Sequence, residues 1–132
     1  MKPTLHCMLY HSQLAPDASF GCITDIIKTA RSFNAVHGVT GILVFDGHRF
    51  IQQLEGPSQV LTDLIVRIAR DPRHVNFTLL HQCAFTGDRR FRNWSMAYAH
   101  IENGEPLANL ALLRGQAAIE HFTELMPSLD IA

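Results

Sequence analysis

Three neutral polar side chains could do chemistry in this sequence, those of Tyr10, Asn34 and Gln52, and Gln52 stands most clearly among apolar residues. In the run Phe50-Ile51-Gln52-Gln53-Leu54, the two-residue period of a β-strand places Gln52 on the same face as Phe50 and Leu54. A buried amide without a partner costs about 1–3 kcal/mol, so Gln52 needs hydrogen-bond partners. A core amide satisfied by the backbone explains Gln52 as well as a functional amide does.

Tyr10 and Asn34 raise the same question. Tyr10 shares a strand face with Met8 and His6, where a core tyrosine with its hydroxyl at the surface is the ordinary interpretation. Asn34 lies near the end of a predicted helix, and a helix C-cap is the simplest interpretation of its position. The sequence alone therefore does not decide between a structural and a functional role for Tyr10 and Asn34.

Trp94 and Met96 stand two residues apart at the start of a predicted strand. This spacing indicates side chains that point the same way. An aromatic ring and a thioether in such a place are more typical of a core than of a cofactor site.

Known catalytic and metal-binding motifs are missing from the sequence. The chain contains no GxSxG, HExxH or GxxxxGK[ST] motif. Ser12, a histidine and Asp17 have no spacing that supports a catalytic triad. No metal site is predicted, because two histidine pairs lack further ligands at metal spacing: His6 with His11, and His74 with His81.

The three cysteines, Cys7, Cys22 and Cys83, are widely spaced and form no CxxC motif. They predict neither a disulfide framework nor a zinc site. We interpret them as small buried apolar residues in a reducing compartment.

Composition limits the class of protein further. The chain has 132 residues, of which 47% are hydrophobic and 17% are charged, with a net charge of -1. This length suits one domain, and the neutral balance argues against a nucleic-acid partner, which requires clustered Lys and Arg. No apolar run approaches the roughly 20 residues of a membrane span. We expect a soluble, cytoplasmic protein without a membrane contact.

Hydrophobic periodicity predicts the elements that position these side chains. Strands are predicted over residues 5–10, 42–45, 50–54, 75–84 and 96–100, and helices over 20–34 and 60–68. Asp17 or Ser19 is expected to cap the first helix, and Asp46-Gly47 predicts a hairpin. The order β-α-β-β-α-β-β predicts an α+β, ferredoxin-like sheet with both helices on one face and an extra strand.

Beyond Pro106, apolar residues continue at helical spacing up to Met126, with an interruption at Gly115. They predict a C-terminal helical tail, formed by one kinked helix or two short ones. Its apolar residues either cover the free face of the sheet or form a subunit interface: Leu110, Leu113, Phe122 and Leu125.

Several motifs occur together in a fixed order. They are Tyr10-His11-Ser12, Arg31-Ser32-Phe33-Asn34, Gly38-Val39-Thr40-Gly41, Phe50-Ile51-Gln52-Gln53-Leu54-Glu55-Gly56, Arg70-Asp71-Pro72-Arg73-His74 and Arg89-Arg90-Phe91-Arg92-Asn93-Trp94-Ser95-Met96. From about Leu5 to about His100, the chain closely resembles the BLUF domain, a flavin-binding blue-light sensor of bacteria. The FxQxLEG-like and RRFxxWxM-like segments make this resemblance specific.

The resemblance implies that FAD is held noncovalently between the two helices. By matching position, Tyr10 is the photoactive phenol, Gln52 the switching amide and Asn34 the amide that grips the flavin ring. Arg73 and His74 match a segment that lies near the flavin. A primary amide suits the edge of the flavin ring, because it offers both an acceptor and a donor.

Further site residues follow from the same resemblance and from charge. Ile26 on the first helix is expected at the cofactor, while Lys28 and Arg31 are expected at its phosphates because of their charge and helix position. Trp94 and Met96 match the pair that is associated with passing the signal outward.

The implied mechanism is transfer of an electron and a proton from Tyr10 through Gln52, which leaves Gln52 rotated or tautomerised with a new hydrogen bond to the flavin. Gln53 is a second amide beside it. Period 2 directs Gln53 to the opposite face, provided that the strand has no bulge.

The resemblance therefore predicts a blue-light photoreceptor and not an enzyme, with residues 1–104 as the flavin-binding sensor domain and 105–132 as a C-terminal extension. About 33 residues follow Ala99, too few for a catalytic domain. The signal is expected to pass to an unidentified downstream protein or through homo-oligomerisation. Two alternatives remain: an acylphosphatase-like hydrolase of ferredoxin-like fold, and a structural interaction module in which Gln52 and Asn34 are satisfied core amides.

Overall fold

The computed structural model describes residues 4–92 and 94–131. Strands and helices follow one another along this part of the chain in the predicted order β-α-β-β-α-β-β, and a helical tail comes after them. The elements are β1 (Leu5–Leu14), α1 (Cys22–His37), β2 (Thr40–Phe45), β3 (Arg49–Gly56), α2 (Ser58–Arg70), β4 (His74–Phe85), β5 (Ala97–His100), α3 (Glu105–Leu110), α4 (Gln116–Leu125) and a 3-10 turn (Met126–Ser128).

The strands form one mixed sheet in the order β4-β1-β3-β2-β5. Neighbours among the first four strands are antiparallel, and β5 is added parallel to β2 at the far edge. This topology confirms the predicted ferredoxin-like sheet with an extra strand. Because β1 pairs with both β3 and β4, residues of the first strand lie at the centre of the sheet.

Strand β1 extends beyond its predicted end at Tyr10 and reaches Leu14. The polar residues after Tyr10 break the hydrophobic pattern, yet His11 and Ser12 pair with Ile51 and Phe50 in β3. The backbone ladder therefore continues beyond the apolar run that defined the predicted strand.

Helices α1 and α2 cover one face of the sheet. Ile23 and Leu61 are the buried apolar residues of these helices, and they pack in one cluster with strand residues of that face, among them Met8, Leu43 and Leu54. The alternation along each strand thus directs every second side chain toward the helices.

The ends of α1 differ from the predictions. No side chain caps its start at Gly21; instead the N–H groups of Cys22 and Ile23 bond the carbonyls of Ser19 and Phe20, each at 3.1 Å. The capping role predicted for Asp17 or Ser19 is therefore wrong.

The helix also ends later than predicted, at His37, and its C-cap is Gly38, whose φ of 71° is a left-handed conformation that favours glycine. Asn34 lies one turn inside the helix, so the C-cap interpretation of Asn34 is wrong. Its side chain is consequently free to contact residues outside its own helix.

The segment between β4 and β5 is held by the buried carboxylate of Glu55. One Glu55 oxygen accepts the backbone N–H of Arg90 at 2.7 Å, and the other accepts that of Phe91 at 2.9 Å and the Thr40 hydroxyl at 3.1 Å. The Gly41 N–H then bonds the carbonyl of Trp94 at 2.9 Å. These contacts position the chain that leads into Met96 and β5.

The tail covers the second face of the sheet. Four buried tail residues pack in one cluster with the β-strand residues of that face: Leu107, Leu110, Ala118 and Phe122 from the tail, and Leu9, Ile42, Val44 and Ile51 from the strands. Gly115 separates the two short helices, and its N–H donates to the Leu80 carbonyl at 2.7 Å. Of the two placements that the sequence left open, the apolar tail residues take the one against the sheet.

Replacing Phe122 with Ala should lower the free energy of unfolding by about 3–5 kcal/mol, because a completely buried ring is lost from this core. Urea denaturation of the full chain measures the change. Leu112→Ala is the matched control, since Leu112 is 81% exposed and should change stability by less than about 0.5 kcal/mol. Equal effects of the two substitutions would show that the tail is not part of the core.

Candidate functional site

Tyr10 and Gln52 face each other across the centre of the sheet. They are directly opposed in the β1–β3 pairing, and the Tyr10 hydroxyl donates a hydrogen bond to Oε1 of Gln52. Tyr10 is only 1% exposed, and burial raises its pKa far above the ordinary value. The phenol therefore keeps its proton and acts as a donor to the amide.

The other end of the Gln52 amide makes a weaker contact. Its Nε2 lies 3.3 Å from Sδ of Met96, and a thioether sulfur is a poor hydrogen-bond acceptor. Gln52 is thus held strongly through its oxygen and loosely through its nitrogen. An amide bound in this way can turn once the Tyr10 hydroxyl no longer donates a hydrogen bond to the Gln52 oxygen.

Gln53 points away from this pair, as predicted. The β1–β3 pairing runs without a register shift from His6 opposite Gly56 to Gln13 opposite Arg49, so the alternation of side chains is preserved. The Gln53 Nε2 donates to Sγ of Cys7 at 3.2 Å. The two adjacent glutamines therefore serve opposite faces of the sheet.

Asn34 contributes an acceptor without a partner. Its Nδ2 donates to the carbonyl of Ser95 at 2.6 Å, whereas its buried Oδ1 has no hydrogen-bond partner among the described residues. A buried acceptor in this state is costly unless a ligand supplies a donor. Asn34 is therefore not the satisfied core amide of the structural-module alternative.

These three side chains meet in a cavity of about 170 Å³ between α1 and α2. Its walls come largely from the facing sides of the two helices and from the loop after α2: Ile26, Thr29, Ala30, Phe33, Leu64, Arg67, Ile68, Asp71, Arg73 and His74. A larger groove of about 580 Å³ lies on the other face, beside Gln53 and α4, and receives none of the three polar groups. The smaller cavity is the one in which the unpaired Asn34 Oδ1 and the phenol–amide pair converge.

His74 is held neutral at the edge of this cavity. Its Nδ1 lies 2.8 Å from the Ser12 hydroxyl, and its ring centroid is 4.8 Å from that of Phe50. Burial lowers the pKa of His74. A neutral imidazole adds an aromatic wall and a hydrogen-bonding edge to the cavity without adding a fixed charge.

Arg73 brings a positive charge to the mouth of the cavity. Its guanidinium pairs with both carboxylate oxygens of Asp71, the shortest distance being 2.6 Å. The side-chain hydrogen bonds from Arg73 hold the pKa of Asp71 below its usual range. Asp71 therefore positions the guanidinium, a role that the sequence analysis did not predict for it.

Lys28 and Arg31 do not line this cavity. They border a separate groove along α1 with Thr24, Ile27 and Ser32, and the Arg31 Nε donates to the Met96 carbonyl at 2.9 Å. Their assignment to the cofactor phosphates stays a prediction.

Trp94 and Met96 do not point the same way. Met96 is 3% exposed and contacts Gln52, whereas Trp94 is 45% exposed and stacks near Phe91. The expectation fails because strand β5 begins only at Ala97, so the strand period does not apply to these two residues. Trp94 lies outside the cavity.

Ser12, Arg67 and Phe33 are among the residues of the site that sequence reasoning missed. Ser12 bonds His74, Arg67 borders the cavity and lies 5.0 Å from the Phe33 ring, and Phe33 forms part of the wall. Phe33 follows Ile26 and Ala30 at helical spacing, and this apolar stripe is the signal that could have placed it at the site. Arg67 belongs to none of the motifs, and Ser12 stands in the Tyr10-His11-Ser12 motif without a predicted role, so only the folded chain brings both residues to the site.

Two broader properties of the described residues bear on the class of protein. Among residues 4–92 and 94–131, no three His, Cys, Asp or Glu side chains cluster in a way that would hold a metal ion. Over the same part of the chain, no helix combines the length and the apolar character needed to cross a membrane.

The fold and the site together define a ferredoxin-like domain with a cavity between two helices, into which neutral hydrogen-bonding groups point. Residues 5–97 match the family model described as BLUF, sensors of blue-light using FAD. Because this match covers well over half of the chain, the protein belongs to the BLUF family, whose cofactor is FAD.

Individual relatives agree with this family. The blue light- and temperature-regulated antirepressor BluF of Escherichia coli is 36% identical over 87 residues, which cover 66% of this chain and 21% of that protein. The photoactivated adenylate cyclase subunit beta of Euglena gracilis is 37% identical over 99 residues, 75% of this chain and 12% of that protein. The chain thus spans about a fifth or less of the length of these curated relatives.

A solved structure matches over most of its length. The dark-state structure of BlrB, a BLUF protein, superposes with a TM-score of 0.71 at 29% identity and covers 85% of both chains. The match extends beyond the family segment of residues 5–97 and therefore includes part of the tail.

The residues at the cavity fit the FAD of this family. The unpartnered Oδ1 of Asn34 is an acceptor suited to the ring N–H of a flavin. The apolar side chains of the two helices offer walls for a planar ring.

Proposed function

We propose that this chain is a blue-light photoreceptor in which the cavity between α1 and α2 binds the flavin ring of FAD. The unpartnered Oδ1 of Asn34 beside the Tyr10–Gln52 pair carries this proposal. Asn34 and Gln52 hold the polar edge of the ring, and Ile26 contributes to its apolar wall.

Charged and aromatic residues complete the proposed cofactor site. Arg73 and His74 border the cavity and contact the flavin nucleotide outside the ring edge. Lys28 and Arg31 bind the phosphates, a role that their positive charge supports and that requires the cofactor to reach their separate groove.

Tyr10 and Gln52 are the proposed photoactive pair. The bound flavin supplies the absorption of blue light and, once excited, a strong oxidant. Tyr10 is a neutral, oxidisable phenol, and its proton already points at the Gln52 oxygen. Loss of an electron and of the hydroxyl proton from Tyr10 removes the hydrogen bond that holds the Gln52 oxygen. The amide then turns or tautomerises, because its remaining contact to the Met96 sulfur is weak.

The first test is the absorption spectrum of the purified protein before and after blue light. The protein should be yellow, and its flavin band should move to longer wavelength in light and return in darkness. Tyr10→Phe should retain FAD and lose this reversible shift, because the ring stays while the oxidisable hydroxyl is removed. A colourless protein that takes up no FAD would refute the function, and an unchanged shift in Tyr10→Phe would remove Tyr10 from its role.

A second test separates the adjacent glutamines. Gln52→Ala should abolish the reversible spectral shift, because no amide remains between the phenol and the flavin. Gln53→Ala is the matched control and should preserve the shift, since Gln53 faces Cys7 on the other side of the sheet. Loss of the shift in Gln53→Ala, with the shift preserved in Gln52→Ala, would show that Gln53 and not Gln52 is the switching amide. The same difference spectra measure both variants.

The proposed signal leaves the site through Met96 and β5. Met96 contacts the Gln52 amide directly, and the following residues Ala97 and Ala99 pack in the cluster that contains the tail helices. Ala99 also forms an isolated bridge with Ile131. Trp94 precedes Met96 by two residues and is exposed at the surface. A downstream protein or a second copy of the chain can contact it there and respond to a change in its position.

This route predicts a light-dependent change in hydrogen exchange over residues 90–126. Turning of Gln52 alters the Met96 contact, so amide protection in β5 and the tail should differ between dark and lit samples. Mass spectrometry of peptides from matched dark and illuminated protein measures the difference. Identical exchange in this segment, in a sample whose flavin band does shift, would exclude the route while leaving the photochemistry intact.

A further inference from the structure

Cys7 and Cys83 lie far apart in the sequence but are direct neighbours in the sheet. They are opposite partners in the antiparallel pairing of β1 with β4. The interpretation of the cysteines as buried apolar residues holds for Cys7, but it is wrong for Cys83, which is exposed, and Cys22 is only half-buried. The reason is that Cys83 lies on the edge strand of the sheet, where one side of the strand faces solvent.

The pairing geometry suits a disulfide. Opposed residues of antiparallel strands have Cα atoms about 4.5–5.5 Å apart, within the roughly 4.4–6.8 Å that a disulfide spans. Directly opposed side chains also emerge on the same face of the sheet. Both cysteines accordingly line the groove of about 580 Å³ beside α4, on the face opposite the flavin cavity.

The two thiols differ in access. Cys83 is exposed and can meet a molecule from solution. Cys7 is 6% exposed, accepts the Gln53 Nε2 hydrogen bond, and burial raises its pKa to about 11. An accessible thiol next to a shielded thiol is the arrangement of an attacking and a resolving cysteine.

We propose that Cys7 and Cys83 form a redox-active dithiol whose substrate is a low-molecular-weight disulfide. The Cys83 thiolate attacks one sulfur of the substrate, so that a mixed disulfide forms and one thiolate leaves. The Cys7 thiolate then attacks the Cys83 sulfur, the Cys7–Cys83 bond forms, and the second thiolate leaves. Two protein thiols are oxidised, one substrate disulfide is reduced to two thiols, and the two protein protons pass through solvent to the leaving thiolates.

This modification site is separate from the proposed photochemistry. Cys22, on α1, has no place in the β1–β4 pair and provides an internal comparison. The cross-link would join the edge strand β4 to the central strand β1 within the groove bordered by Gln116, Ile119 and Thr123 of the tail.

Oxidised glutathione is the probe. The reduced full chain is incubated with it, alkylated under denaturing conditions and mapped by mass spectrometry. Alkylated thiols should fall from three to one, with Cys7 linked to Cys83 and Cys22 still alkylated. Cys22→Ser should give the same cross-link. Glutathione that persists on Cys83 without an internal bond, or a cross-link that contains Cys22, would overturn the proposal.

Two single variants test the order of attack. Cys7→Ser should stop at the mixed disulfide on Cys83, because no resolving thiol remains. Cys83→Ser changes an exposed residue and should leave Cys7 free of glutathione in the folded protein. Glutathione on Cys7 in the Cys83→Ser variant would contradict the assigned order, even if Cys7→Ser fails to fold.

Discussion

The hydrogen bond between Tyr10 and Gln52 depends on the register of β1 against β3, and the rest of the site depends on that register. A slip of one residue would turn Gln52 away from the helices and replace it with Gln53, because strand side chains alternate between faces. The observed pairing has no shift along this ladder. Gly41 helps to set the neighbouring strand, since a Cβ at this position would lie 2.2 Å from the Gln53 carbonyl oxygen.

The sheet separates two environments that share the same strands. On the α1/α2 face, the neutral polar groups of Tyr10, Asn34 and Gln52 converge in the cavity proposed for the flavin ring. On the other face, apolar residues of the tail complete a core. Met96 and β5 connect the two environments, because Met96 contacts Gln52 while Ala97 and Ala99 pack with the tail. A rearrangement of one buried amide thereby has a packed route to the opposite face.

Much of this arrangement can be predicted from local patterns in the sequence. The order of strands and helices, the hairpin at Asp46-Gly47 and the opposed directions of Gln52 and Gln53 follow from periods that a few neighbouring residues reveal. The predictions failed where a distant segment decides. Asn34 was predicted to be a helix cap, but its amide nitrogen donates to the carbonyl of the distant Ser95. Trp94 was predicted to point the same way as Met96, but β5 begins after both residues.

The sequence by itself determined the fold class, the family and the face on which Gln52 lies, because these depend on periodicity and on motifs read along the chain. Only the tertiary structure decided which acceptor is unpaired at Asn34, that the tail covers the sheet, and that Cys7 lies opposite Cys83. These features arise from contacts between residues far apart in the chain. Pairing register and burial are properties of the whole sheet, and no local stretch of sequence contains them.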